Sequence, residues 1–297
     1  MDNETKGTLL VLLTALSSGL AIVINRFFVL KVEPVIFTAI RALFIGILFF
    51  FLSKRFETTP PQVNLRQLFS LGLIGGSVAF LLFFTGLKMT TGGRAAFIHK
   101  TLPIWVAILA VWFLKEKLSK IHVVAVSIAL IGLAVMESGN LPGTITNGDL
   151  LILAATLLWA VENTLAKKFM NLGESNWRVT FGRMFFGSLI LFGFAAFVGK
   201  LPLVFYLQPM QWLYIAVSTL MLTIYVLTWY WGLRYINLSK ATGLLLVSPV
   251  ISLISGVIIL GEIIYPLQLI GSLGILIGCG LLAKTKSERM VSASELP

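Results

Sequence analysis

The chain has 297 residues, of which 58% are apolar and only 12% charged, with a formal net charge of +11 and a mean hydropathy of +0.96. Soluble domains carry about 25% charged residues, so this composition excludes an ordinary soluble fold, and it equally excludes disorder, collagen and disulfide scaffolds. The single Cys279 can close no intramolecular disulfide, and the basic residues are scattered between apolar blocks instead of gathered on the polar face that nucleic-acid binding needs.

A helix needs about 20 mainly apolar residues to cross the roughly 30 Å hydrocarbon layer. The sequence predicts ten such helices in succession, at 6–28, 35–53, 66–87, 94–114, 121–137, 148–168, 177–198, 210–233, 240–260 and 265–284. Their connections are short and carry breakers: Pro34, Pro60, Pro61, Gly92, Gly93, Pro142, Gly143, Gly173, Pro202, Pro209 and Pro266. Backbone groups in a bilayer must pair within their own segment, so the apolar runs read as helices, not open strands. The first run, Gly7 to Ile24, is longer than a signal-peptide core and is followed by Asn25, Arg26 and Phe27, which form no cleavage site. With a cytoplasmic N-terminus, fifteen Lys and Arg fall on the cytoplasmic side and five outside. The positive-inside rule then predicts a multi-pass cell-membrane protein with both termini in the cytoplasm.

Internal repetition fixes architecture. A shift of 146 places Gly86 on Gly232, Ala95 on Ala241, Pro103 on Pro249, Leu114 on Leu260, Glu116 on Glu262, and Leu130-Ile131-Gly132 on Leu276-Ile277-Gly278, with no gap. A shift of 141 pairs Gly7 with Gly148 and Phe28 with Phe169, and one inserted residue then pairs Thr38 and Arg41 with Thr180 and Arg183. The expected fold is therefore all-α and polytopic, with two five-helix repeats at 1–140 and 141–284 and a cytoplasmic tail at 285–297. Because five is odd, the second repeat enters the membrane from the opposite side, the inverted repeat of many secondary transporters, with a site near the midplane.

The segments GLKMTTGGRAAFIHKTLPIWVAILAVWFLKEKLS and GLRYINLSKATGLLLVSPVISLISGVIILGEIIY resemble the two EamA-type repeats of the drug/metabolite transporter superfamily, with mid-helix proline and terminal glutamate in register. The resemblance covers nearly the whole chain. It implies ten helices around a central cavity, cytoplasmic termini, and transport of small metabolites such as amino acids. Departures from the family pattern are Ser18 where members often carry Trp, with Trp159 at the matching place in helix 6, and Lys115 in place of the Gly that often precedes the terminal Glu. His99 and Lys100 are also more polar than most members offer in helix 4.

An ionisable group inside a span costs about 2.5 to 3.5 kcal/mol on insertion scales, so each is a candidate for function: Arg41, His99, Lys100, Glu162 and Arg183. Lys100 lies on the order of 10 Å and Glu162 on the order of 20 Å from the outer surface at 1.5 Å per residue. An ammonium at Lys100 would hold a substrate carboxylate, and Glu162 an amino group or a proton. The plainer alternative pairs Lys100 with a carbonyl or with Glu162. Asn25, Trp159, Asn163 and Tyr225 complete the expected substrate-binding set. His99 joins Glu162 as a coupling candidate, since histidine titrates near neutral pH, against the common case of a satisfied structural histidine. Pro103 and Pro249 each remove a backbone hydrogen bond and offer hinges, or simply shape. Arg41 and Arg183 recur by symmetry, which favours scaffold pairing with carbonyls or lipid phosphate. Glu116 and Glu262, at helix ends, oppose the helix dipole unless neighbouring amides or Lys117 satisfy them, which favours a loop-locking role. Trp229, Tyr230 and Trp231 suit a cavity floor or a lipid interface equally.

These residues point to a secondary exporter of small zwitterionic or carboxylate metabolites, amino acids first, working by alternating access, with proton coupling suggested by His99. Efflux of organic cations, or transport of nucleobases or sugars, is the alternative; an intramembrane enzyme or a receptor is the non-transport one. No metal or nucleophile cluster and no ATP-binding loop is present in the sequence. The implied partners are the lipid bilayer and a small-molecule substrate, without nucleic acid or cofactor; a monomer is plausible and the sequence leaves the oligomeric state open.

Overall fold

The computed structural model describes residues 1–28, 31–57, 60–140 and 144–287; Pro142, Gly143 and most of the expected tail lie outside the described residues. Every regular element among them is helical. Among the described residues nine helices are long and apolar enough to cross a membrane, and a tenth, Lys120–Met136, is apolar but shorter. We label them α1 (Asn3–Phe28), α2 (Pro34–Phe56), α3 (Leu65–Leu87), α4 (Gly93–Phe113), α5 (Lys120–Met136), α6 (Asn147–Asn171), α7 (Asn176–Phe197), α8 (Pro209–Leu233), α9 (Leu238–Leu260) and α10 (Pro266–Lys284).

The helix starts follow from local chemistry. Glu33 precedes Pro34 and its Oε2 accepts from the amides of Val35 (2.8 Å) and Ile36 (3.0 Å). Thr146 and Asp149 form a reciprocal capping box on α6, and Ser119 and Ser175 cap α5 and α7. Pro209 and Pro266 open α8 and α10, where a missing N–H costs nothing. Large apolar side chains such as Phe51, Ile131, Leu220 and Ile258 cover the outside, as a lipid-facing surface requires.

Helix contacts close a ring in the order α1, α8, α2, α7, α3, α6, α4, α9 and back to α1. Members of the first and second halves alternate around it. α5 and α10 pack on each other beside α9, outside the ring. Glu4 receives bonds from Lys240 Nζ (2.6 Å) and from the backbone N–H of Ser287 (3.1 Å), so both described ends lie on one face of the bundle. On the opposite face Lys200 meets Glu33 (2.6 Å) and Arg94 meets Asp149 (2.5 Å).

Two features interrupt the regular helices. The first is a π-helical stretch in α3 at Gly72–Val78 and another in α7 at Gly182–Phe186, where these two helices cross. A Cβ on Gly76 would stand 2.3 Å from the Arg183 carbonyl oxygen and 3.0 Å from Gly187 Cα, so the crossing admits no side chain. Ser77 Oγ donates to the carbonyls of Gly72 (3.0 Å) and Leu73 (2.9 Å), satisfying groups that the wider turn loosens. The second is a break within the span in α4 and in α9. α4 is two pieces, Gly92–His99 and Leu102–Phe113, and α9 passes through a 3-10 turn at Leu245–Val247 between Leu238–Leu244 and Ser248–Leu260. Pro103 and Pro249 occupy the same early position of the second pieces, so each break falls in the turn before a proline, in register with the 146-residue shift.

The register continues at the helix ends. Lys115 and Gly261 both adopt left-handed backbone, at φ 56° and 69°, and the next amide turns back in each copy: Glu116 to the Ala110 carbonyl (3.1 Å) and Glu262 to the Gly256 carbonyl (3.3 Å). A side chain at such a position costs roughly 1 to 2 kcal/mol. We therefore expect Lys115→Gly to raise the unfolding midpoint in detergent by relief of about 1 kcal/mol, and Gly261→Ala to lower it by a similar amount. Thermal scans of both variants check this; unchanged midpoints would mean that the turn carries no strain.

Candidate functional site

Three polar groups lie in the interior, the first within the second half and the other two between helices of opposite halves. In the first, Glu162 of α6 accepts from the Tyr230 hydroxyl (3.0 Å at Oε1) and pairs with Arg183 of α7 (3.5 Å at Oε2). Arg183 Nη1 in turn donates to the Tyr230 hydroxyl oxygen (3.1 Å). Glu162 and Tyr230 are wholly buried. The carboxylate lies against α3 where Gly75 leaves room, since a Cβ there would meet Glu162 Cγ at 2.3 Å. Asn163, next along α6, accepts from Trp229 Nε1 (3.0 Å) and donates to the Trp159 carbonyl (2.7 Å).

The second group is built on the broken helices. Lys100 ends the first piece of α4, and its Nζ donates to Ser248 Oγ (2.7 Å), where the last piece of α9 begins. No carboxylate pairs with Lys100 among the described residues. His99 stands edge-on to Trp159, ring centroids 4.8 Å apart, and to Phe83 at 5.6 Å, and its buried Nδ1 has no hydrogen-bond partner. Trp159 Nε1 donates to the Gly75 carbonyl (3.0 Å) while Phe80 and Phe83 pack on its ring. Trp159 therefore joins the aromatic box around His99 to the Glu162 region, through Gly75 and Asn163.

The third group is a chain. Arg41 of α2 donates to Ser218 Oγ (2.6 Å) and Ser218 donates to Asn25 Oδ1 (2.5 Å), with the Arg41 guanidinium 4.2 Å from the Phe37 ring centroid.

The structure thus brings His99 and Trp159 together and directs Lys100, next to His99 in the chain, onto Ser248, while Asn163 adjoins Glu162 on α6 and Asn25 belongs to the separate Arg41 chain. Tyr225 lies parallel to Trp229 at 6.5 Å. Glu162 is engaged by Arg183, not by Lys100, and Arg183 is paired with a carboxylate, not with carbonyls or lipid phosphate. Trp229 and Tyr230 are buried, which removes the lipid-interface reading for both. Glu116 accepts from the amides of Leu238 (2.7 Å) and Ser239 (3.1 Å) and from the Ser239 hydroxyl (2.6 Å), at the start of α9. Sequence reasoning did not single out Ser248, Gly75 or Lys167. Ser248 precedes Pro249, and a hydroxyl before a mid-span proline was the available signal. Among the described residues no three His, Cys, Asp or Glu side chains gather where they could hold a metal ion.

A polytopic helical bundle with buried charges in its interior and helices broken within their spans is an architecture found in membrane transporters. The chain belongs to the EamA-like transporter family, whose model matches residues 5–138 and again 146–284. It is 27% identical over 271 residues to the uncharacterized transporter YoaV of Bacillus subtilis, covering 86% of this chain and 88% of that one. It is 25% identical over 288 residues to a protein named a probable amino-acid metabolite efflux pump of Salmonella typhimurium, covering 92% and 93%. A solved crystal structure superimposes with a TM-score of 0.76 at 17% identity, over 94% of this chain and 98% of that one, which shows a shared fold.

Glu162→Gln should leave Arg183 buried without its counter-charge and destabilise the protein by about 3 to 5 kcal/mol. Adding Arg183→Gln should recover much of that loss, since the uncompensated charge is removed. Melting temperatures of the parent, both single variants and the double variant form the cycle; strict additivity would mean that the pair is not coupled.

Proposed function

We propose that the protein is a secondary transporter that exports small zwitterionic or carboxylate metabolites, amino acids foremost, by alternating access between two inverted five-helix repeats. The observation that carries this reading is the state of Lys100. It is half-buried at a helix break and, among the described residues, bonded only to a neutral hydroxyl, so its charge is available for a ligand. Glu162, the interior carboxylate that an organic cation would need, is already occupied by Arg183 and Tyr230. The remaining balance in the interior is positive, and it favours a substrate that carries a carboxylate. The break in α4 exposes the Lys100 region to both a polar backbone and the aromatic box of His99, Trp159 and Phe83, which suits the apolar side chain of an amino acid. The name of the Salmonella relative agrees with that substrate class.

The helix count and the symmetry of this reading rest on the matched breaks, the matched left-handed turns and the internal sequence register. Its orientation, both termini cytoplasmic, rests on the distribution of Lys and Arg together with the placement of both described ends on one face. Proton coupling is assigned to His99, because Glu162 is held in its ion pair while His99 Nδ1 lacks a partner.

Proteoliposome counterflow with labelled amino acids, organic acids, nucleosides and organic cations tests the substrate class. Amino-acid or organic-acid exchange is expected, and flux of cations alone would overturn the reading. Lys100→Ala should weaken half-saturation at least about tenfold, the loss of one charge-assisted bond of about 1.5 kcal/mol or more, whereas Ser248→Ala should change it only a few fold. Equal affinities in Lys100→Ala and the parent would make Lys100 structural. His99→Gln is expected to retain counterflow but lose acceleration by an imposed pH gradient.

A further inference from the structure

On the face that carries both described ends, a recess of about 340 Å³ opens to solvent between the start of α5, the turn from α8 to α9 and the end of α10. The described residues of its wall include Lys117, Ser119 and His122 from the first half and Asn237, Lys240 and Lys286 from the second half and its end, and no carboxylate is among them. The nearest acids are engaged behind the wall. Glu116 takes the Leu238 and Ser239 amides and the Ser239 hydroxyl. Glu4 Oε1 receives Lys240 Nζ (2.6 Å) and both the amide (3.1 Å) and the hydroxyl (3.0 Å) of Ser287.

Lys240 is 1% exposed and spends its remaining donors on the Ala283 carbonyl (3.2 Å) and that of Thr285 at the end of α10, so its charge is met within the protein. Lys117 and Lys286 differ. Both are exposed and form no ion pair among the described residues. Asp2, which lies in the field of Lys286, is itself exposed and screened by water. Two ammonium charges are thus left over at the recess, close to the charge of about −1.5 to −2 that a phosphate monoester carries near neutral pH. α5 also begins here, capped by Ser119, and turns the positive end of its dipole to the same place.

His122 is the second and independent sign of a ligand. It lines the recess, is only 7% exposed, and its ring Nε2 has no hydrogen-bond partner. A buried polar atom left unpaired is costly, and an anion seated beside the ring offers it an acceptor. Ser119 Oγ accepts from the His122 amide (3.2 Å), which leaves its hydroxyl hydrogen free to donate outward.

We propose that this recess binds a phosphate group, held between the ammoniums of Lys117 and Lys286 and the His122 ring, with the Ser119 hydroxyl as a further donor. An anionic phospholipid headgroup and free phosphate share that chemistry, and basic recesses between membrane helices are suited to either. Ile121 and Val124 beside His122 are exposed on the outside of the bundle, so an acyl chain attached to the phosphate has an apolar helix flank to lie on. Because the wall is drawn from both halves, a bound phosphate ties them together on this face and stabilises the arrangement described above. The site stands whether or not the protein moves amino acids.

Thermal unfolding of the full-length, delipidated protein in detergent tests it without any solute flux. Two probes are compared: inorganic phosphate against sodium chloride of equal ionic strength, and micelles doped with phosphatidylglycerol against phosphatidylcholine, whose phosphodiester carries its own cation. A saturable rise in midpoint is expected. A rise with phosphatidylglycerol alone assigns the site to a lipid headgroup, and a rise with inorganic phosphate shows that the phosphate group alone suffices. Lys117→Gln with Lys286→Gln changes two exposed side chains and keeps the parent fold; it should raise the half-saturating concentration at least about tenfold, as the loss of two charge-assisted bonds requires. His122→Phe keeps a ring without its nitrogens and should raise it several fold. No saturable rise with either probe would overturn the proposal, and so would half-saturation that the double lysine variant leaves unchanged. Half-saturation unaltered by His122→Phe would reduce the recess to surface charge and overturn it as well.

Discussion

The ion pair of Glu162 and Arg183 sets the terms for the rest of the interior. Hydrocarbon offers no water to a charge, so each of these two groups is tolerable only because the other is present and because Tyr230 fills a further hydrogen-bonding position between them. The pair joins α6 to α7, and α3 lies between and against them. Gly75 gives way to the Glu162 side chain, and Gly76 lets the α7 backbone approach the α3 backbone at the Arg183 carbonyl. The π-helical stretches of both helices fall at this crossing, where a widened turn supplies the extra residue needed to keep both glycines on the contact side. A side chain at either glycine would separate α3 from α6 and α7 and leave the charges apart.

Satisfying the carboxylate in this way has a consequence for binding. With Glu162 and Arg183 neutralising each other, the charge that remains for a solute is positive, at Lys100 and at Arg41. These two differ in setting. Arg41 is buried against Phe37 and continues through Ser218 to Asn25, a fixed chain that spans α2, α8 and α1. Lys100 sits at a helix break with one hydroxyl partner and two further N–H donors on its ammonium. Ser248 belongs to the other broken helix, so in the proposed transport cycle a solute that took Lys100 from it would loosen a contact between the two halves and so couple binding to rearrangement.

Much of this was legible in the chain. Spans, breakers and the 146-residue register come directly from hydropathy and residue identity, and they locate Pro103, Pro249, Glu116 and Glu262 in matching places. Lys100 and Glu162 stand out because charges are rare in spans. Their partners do not. Which arginine meets Glu162 depends on ring order, and the ring order joins residues 21 and 68 positions apart through contacts that no local pattern encodes. Tyr230 sits in an aromatic run, Trp229 to Trp231, that has the composition of an interfacial belt, yet α8 turns Trp229 and Tyr230 inward. Lys167 reads as one of several cytoplasmic lysines, because its place at the end of a span hides the fact that its ammonium turns back onto carbonyls of another helix. The short fifth helix, Lys120–Met136, shows the limit of length arguments: it packs along α10, and at about 1.5 Å per residue it still rises roughly 26 Å.

The turn between α8 and α9 uses buried charge in a different way. Lys167 donates to the Leu233 and Ile236 carbonyls, the open acceptors at the end of α8, while Glu116 accepts from the Leu238 and Ser239 amides and the Ser239 hydroxyl at the start of α9. Each charge meets the helix end of complementary sign, so a buried ammonium and a buried carboxylate are both satisfied by backbone groups. Because Glu116 comes from the first half and the turn from the second, this contact ties the two halves together on the face that bears both described ends.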